Sequence, residues 1–170
     1  IEEVEVPHAA LTGPVYLHLG FGDGAAIHGP TLDRMPERYT TPVRLRLETA
    51  RYVLAEDYAR ALAGREVLRG EVDALLEGRD ALVLPTLPIP APRIGASGVQ
   101  IGSETHSVRA LTLRLTQLFN LTGNPAVSMP IGATPDGMPC GLQLVGRRGE
   151  TGGLMATALA LEGVALFPTP

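Results

Sequence analysis

The clearest grouping of apolar positions, broken by turn residues, stands in the C-terminal third of the chain. Two short apolar runs, Ala126 to Ile131 and Gly141 to Val145, flank Gly132, Pro135, Asp136, Gly137 and Pro139. That order predicts strand, turn, strand, either a core hairpin or two neighbouring strands of a sheet. Before them, Val108, Leu111, Leu115, Leu118 and Phe119 recur at three- and four-residue steps, which predicts a helix over Ser107 to Asn120. Gly123 can take the positive φ that ends it, and Pro125 blocks its continuation. The helix therefore drops directly into a buried strand. Farther back, Tyr58, Leu62, Leu68, Val72, Leu75 and Leu76 form the apolar stripe of a helix from about Ala55 to Glu77. Glu56 and Asp57 suit its positive end, and Gly78 closes it. Gly64 and Gly70 inside it each cost up to about 1 kcal/mol relative to Ala, so close packing against a neighbour is expected.

Shorter elements frame these. Thr40 or Thr41 can cap a helix with Pro42 in its first turn, followed by Val43, Leu45, Leu47 and Ala50. Ala81 to Leu84 is a continuous apolar run of the kind that fits a strand buried on both faces. Glu150 to Val164 predicts a last helix, weakened at its start by Gly152 and Gly153. Elsewhere the pattern is poor. Ile1, Val4 and Val6 nearly alternate with glutamates, so a strand is expected from the first residue to Pro7, an abrupt opening for a natural domain. From His8 to Tyr39, Gly13, Pro14, the Gly20 to Gly24 cluster, Gly29, Pro30 and Pro36 predict short turns and loops. Pro85 to Pro92 predicts a stiff loop at a strand end, where ligands sit in open α/β sheets, and Gly95 to Ser103 a flexible one. The expected organisation is a single domain over 1–170, with an irregular lead-in over 1–39 and a helix and strand core over 40–170.

Composition narrows the function classes. Hydrophobic residues make up 45% of the 170 residues, aromatics only 4%, and there is no Trp. With a mean hydropathy of +0.14, such a chain is either a compact core or a piece of a larger core with a face that wants a partner. The second is the expectation. No apolar run approaches the ~18 residues of a membrane span. The net charge of −4, without a basic stripe, argues against a nucleic-acid partner. The lone Cys140 excludes an intrachain disulfide, and Ile1 to Val6 lacks the features of a signal peptide, so the cytoplasm is the expected compartment. All 14 basic residues are Arg. Chemistry that needs a deprotonatable amine is therefore excluded within this chain.

The candidate chemistry is sparse. Gly20 and Gly22 lack the third glycine of a dinucleotide loop, and a phosphate-binding loop of the Walker type needs Lys. His8, His18, His28 and His106 are too dispersed for a metal site, so no metal or other cofactor is expected. Ser97, Ser103, Ser107 and Ser128 fit neither G-x-S-x-G nor S-x-x-K. Cys140 reads as a small hydrophobe buried between strands. Arg114, Thr116 and Asn120 lie on or just past a helix entering a buried strand, where polar groups must find partners. They read as a structural network or a pocket wall.

The stretch F-N-L-T-G-N-P-A-V-S-M-P, a turn, then G-M-P-C-G-L-Q-L-V-G, resembles the C-terminal part of amidase signature enzymes, serine hydrolases that cleave amide bonds. Arg114 to Pro125 matches that family's R-x-T-x-x-F-N-L-x-G-x-P pattern, Asp80 to Thr86 its D-x-L-x-x-P-T strand and loop, and Tyr58 to Ala61 its Y-x-x-A helix. The match runs in order over about residues 40 to 165. The resemblance implies an α/β fold, a mixed β-sheet flanked by helices, and a small-molecule amide as substrate of the full-length protein. It also implies a mechanism in which one serine attacks the amide carbonyl, a second relays the proton and a lysine is the base. Neither the Gly/Ser-rich signature nor the Lys motif is present. This chain is thus expected to hold no catalytic residue and to supply part of the sheet and one wall of the substrate pocket, through Thr86, Leu87, Arg114 and Asn120. Glutamine-dependent amidotransferase subunits of the family carry an acidic residue where Leu113 aligns, which favours a general amidase. The rival expectation is a non-catalytic half that completes its core against a partner chain or a second copy.

Overall fold

The computed structural model describes residues 1–162. By internal contacts the chain separates into two compact units, Pro7–Leu68, and Arg69 onward together with Ile1–Val6. The division falls inside one helix, Ala55–Leu76.

The first unit is helical. It contains α1 (Thr12–Arg34), α2 (Thr41–Ala50) and α3 (Ala55–Leu76) as far as Leu68. The second and third were expected; the first was not. In place of the irregular lead-in over 1–39, residues 12–34 form one continuous helix. Its glycines are contact points. A Cβ on Gly22 would lie 2.5 Å from the ring of Tyr58, and one on Gly64 would lie 2.8 Å from Val15 Cγ2. Packing of α1 against α3 at this distance outweighs the low helix propensity of glycine, a long-range effect that local punctuation does not reveal. Beside Gly22, the Tyr58 hydroxyl donates to Asp23 at 2.7 Å. Gly70 differs, because among the described residues no atom outside its own stretch of helix lies within 4 Å of its missing side chain, so the close packing expected there is not seen.

The second unit is built on a three-stranded sheet. β1 (Leu82–Pro85), β5 (Pro139–Val145) and β4 (Ala126–Ala133) lie side by side in that order, and both pairings are antiparallel. The expected strand, turn, strand is the β4–β5 hairpin. α6 (Thr151–Glu162) packs on one face, where Leu154 and Ala158 meet Met129 and Leu144. Residues of the expected last helix beyond Glu162 lie outside the described residues. The α/β reading of helices beside a sheet stands.

Three expectations in this unit are corrected. β1 is an edge strand, and Val83 is 54% exposed, so only the Leu82 and Leu84 positions turn inward and the strand is not buried on both faces. Ile1–Val6 joins no strand among the described residues, since three scattered apolar residues meet no sheet edge; Glu2 instead pairs with Arg79 at 2.6 Å. The loop expected over Gly95 to Ser103 holds a hairpin, β2 (Gly98–Ile101) and β3 (Glu104–Ser107), closed by Gly102 and Ser103. A Gly-Ser pair between alternating residues is a two-residue hairpin turn signal, and Gly102 takes its positive φ.

The helix expected over Ser107 to Asn120 is two helices, α4 (Val108–Leu113) and α5 (Gln117–Thr122). Ser107 caps the first, its Oγ accepting from Ala110 N. Between them Arg114 N and Thr116 N donate three residues back, to Leu111 O and Leu113 O. The break frees the Leu115 carbonyl, which accepts from the buried Gln143 Nε2 at 3.0 Å. Gly123 ends α5 in the left-handed region at φ 79°, as expected.

Candidate functional site

A groove of about 510 Å³ opens where β1 runs into the proline-rich loop. Residues 85–91 form one side, Ser128, Ile131 and Thr134 another, and the start of β5 the floor. Its geometry follows from register. Leu84 pairs with Gln143, and Gln143 with Ser128, so these three share a face of the sheet, opposite the face of Leu142 and Leu144. One step on, Thr86 follows the last β1 pair, Pro85 with Leu142, and its amide donates to the Gly141 carbonyl at 2.9 Å. Thr86 and Ser128 therefore flank Gly141 from the two outer strands.

Gly141 lets them meet. The two hydroxyl oxygens are 2.6 Å apart, and a Cβ on Gly141 would lie 2.8 Å from each. Any other residue there would separate them. Thr86 is half-buried and Ser128 exposed, so the pair faces the groove rather than the core. Among the described residues, none that lines the groove carries a charge. Cys140 also lines it and is half-buried, with its thiol 3.8 Å from the Met138 carbonyl, rather than sealed between strands as expected.

Of the four residues expected in a pocket wall, the structure brings Thr86 and Leu87 together in this groove. Arg114 and Asn120 are exposed and line none of it. The polar network at the helix-to-strand junction exists, with other members. Thr122 Oγ1 donates to Asn124 Oδ1 at 2.6 Å, Asn124 Nδ2 donates to Gly146 O at 2.9 Å, and Arg69 Nε donates to Thr122 O at 3.0 Å. Thr122 and Asn124, on either side of the left-handed Gly123, are buried, while Asn120 stays exposed. Sequence reasoning missed Ser128 and Gly141 as groove residues. The available signal was their place beside the proline-rich loop, once the register of three strands is known.

Ser128 has a hydroxyl for a partner, and among the described residues no His, Asp or Glu lines the groove to act as a base. Among the described residues no group of three or more His, Cys, Asp or Glu could hold a metal ion, and no helix is long and apolar enough to cross a membrane.

Comparison with known proteins gives a consistent picture. The family model described as Amidase matches residues 3–154. The chain is 36% identical over 144 residues to an amidase of Pseudomonas putida, a match covering 80% of this chain and 29% of that protein. It is 26% identical to one subunit of the glutamyl-tRNA(Gln) amidotransferase of Oceanobacillus iheyensis, covering 95% of this chain and 37% of the relative. Among solved structures, a crystal structure of an amidase superposes with a TM-score of 0.88 at 37% identity, over 96% of this chain and 37% of that one. The chain thus spans between 29% and 37% of the length of these relatives.

Proposed function

The chain belongs to the amidase family, and from that premise we propose that it is the C-terminal segment of an amidase, an enzyme that hydrolyses carbon–nitrogen amide bonds. In this reading it supplies part of the sheet and one wall of the substrate pocket, and residues outside it supply the nucleophile and base. The observation that carries the reading is the groove at the end of β1, where Thr86 and Ser128 present paired hydroxyls and no basic group accompanies them. The chain contains no lysine, so the family's base cannot come from it. Thr86 and Leu87 are proposed to touch substrate; Arg114 and Asn120, exposed beyond the groove, are proposed to face it only through further protein that covers them. The exposed Val83 on edge strand β1 supports a core completed by further protein, in the same polypeptide or as a partner.

The similarity to an amidotransferase supports a second reading, with the side-chain amide of glutamine as substrate. Leu113, half-buried at the end of α4, stands where the resemblance would need an acidic residue, and the first reading is preferred. The test is the intact mass of the chain after incubation with a serine-reactive fluorophosphonate. The expected result is no adduct here and one adduct on a longer protein that joins this chain to a Ser- and Lys-bearing segment. A stoichiometric adduct on this chain alone would overturn the reading.

A further inference from the structure

Two hydroxyls in contact carry two donatable protons and several lone pairs. At 2.6 Å, the Thr86–Ser128 contact uses one proton. One O–H donor and one oxygen acceptor are left side by side where the two walls meet over Gly141. A carboxamide presents the complement, a carbonyl oxygen that accepts and an N–H that donates. A carboxylate presents acceptors only. Beyond the pair the lining is mostly apolar, through Leu87, Ile89 and Ile131, with Thr134 and Cys140 its other polar side chains, and it is uncharged among the described residues. The carboxylate of Asp136, in the following turn, accepts from Thr134 Oγ1 at the rim rather than lining the groove. An ammonium or carboxylate entering here would lose hydration without gaining a counter-charge.

We propose that the Thr86–Ser128 hydroxyl pair, held together by Gly141, is a neutral subsite that recognises an uncharged carboxamide on an apolar chain and discriminates against both the carboxylate product and zwitterionic amides. The proposal rests on reading the groove as an amide-substrate wall and adds its specificity. It assigns Ser128 and Gly141 roles, the one as half of the hydrogen-bonding pair and the other as the positioning residue that leaves room for it. It also gives the groove a direction. The amide is held, and the acid formed by hydrolysis, charged at neutral pH, is released.

The experiment is a titration of the chain with hexanamide, hexanoate and L-glutamine at neutral pH, followed by the backbone amide resonances of Thr86, Ser128 and Gly141. Hexanamide is expected to shift these three signals at millimolar concentration, with hexanoate and glutamine at least about 5-fold weaker, the scale of one neutral hydrogen bond. Thr86→Val, which keeps the shape and removes one hydroxyl, is expected to weaken hexanamide binding and narrow the preference, and Thr86→Ser to retain both. Equal shifts with all three ligands, no shift with hexanamide, or unchanged hexanamide binding in Thr86→Val would overturn the proposal. Failure of the functional reading is seen separately, as a fluorophosphonate adduct on this chain, which leaves the ligand preference to be judged on its own titration.

Discussion

The two faces of the β1–β5–β4 sheet use the same three strands for opposite ends. On the α6 face, Met129, Leu144, Leu154 and Ala158 are all below 10% exposed and meet side chain to side chain. On the other face, at the end where β1 runs into the proline-rich loop, stand Thr86, Gly141 and Ser128, with a glycine where a side chain would otherwise fill the space. The first face contributes stability through apolar area removed from water. The second face is buried at one end, where Gln143 and Val145 lie, and at the other leaves a hydroxyl pair and a groove open, an end with little to offer stability and a specific geometry to offer a ligand. Strand alternation makes this division possible, since substitution on one face leaves the other in register.

Predictions follow this division, from the largest effect to the smallest. Leu144→Ala removes a side chain with no exposed surface and should cost about 2–5 kcal/mol in urea unfolding. A cost below about 1 kcal/mol would show that the α6 face is not the core. Gly141→Ala places a Cβ 2.8 Å from both hydroxyl oxygens and should part them, at a cost on the order of 1–3 kcal/mol. The spectral changes should centre on Thr86 and Ser128; changes spread over α6 instead would break the separation of the faces.

The helical unit sharpens the comparison with the smallest effect. There the Tyr58 hydroxyl donates to Asp23, and that bond, with some burial and the nearby carboxylate charge, holds the phenol above its ordinary value. A folded-state value above the unfolded one, about 10, means a contribution that is complete below that pH and is lost as pH rises through the folded value. Tyr58→Phe should therefore lose a small contribution at neutrality and leave alkaline unfolding less dependent on pH, the two proteins converging as pH rises. An unchanged alkaline profile would show that the bond is not populated in solution.

How much of this the sequence discloses depends on the range of the interaction that decides each element. The β4–β5 hairpin, the end of α5 at Gly123 and the extent of α3 are set by residues within a few positions, and were legible. Helix α1 was not, because Gly22 is helical on account of Tyr58, 36 residues away. The β2–β3 hairpin carried a local signal in Gly102 and Ser103, outweighed by the surrounding glycine and proline. In the groove, Thr86 and Leu87 were named only through the family resemblance, while the proline-rich loop at a strand end marked the place. Ser128 needed the pairing of β4 with β5, and of β5 with β1, before it could be placed beside Thr86. The junction polar groups were expected one turn too early, since only the turn at Gly123 sends Thr122 and Asn124 inward.

The most direct test of the division between the faces is the urea-unfolding free energy of the Thr86→Val/Ser128→Ala double variant, measured beside the parent chain. The account predicts a change within about 0.5 kcal/mol, because half-buried and exposed hydroxyls that serve a groove contribute little to folding. A loss of about 2 kcal/mol or more, comparable with Leu144→Ala, would contradict it and make the hydroxyl pair part of the structural core.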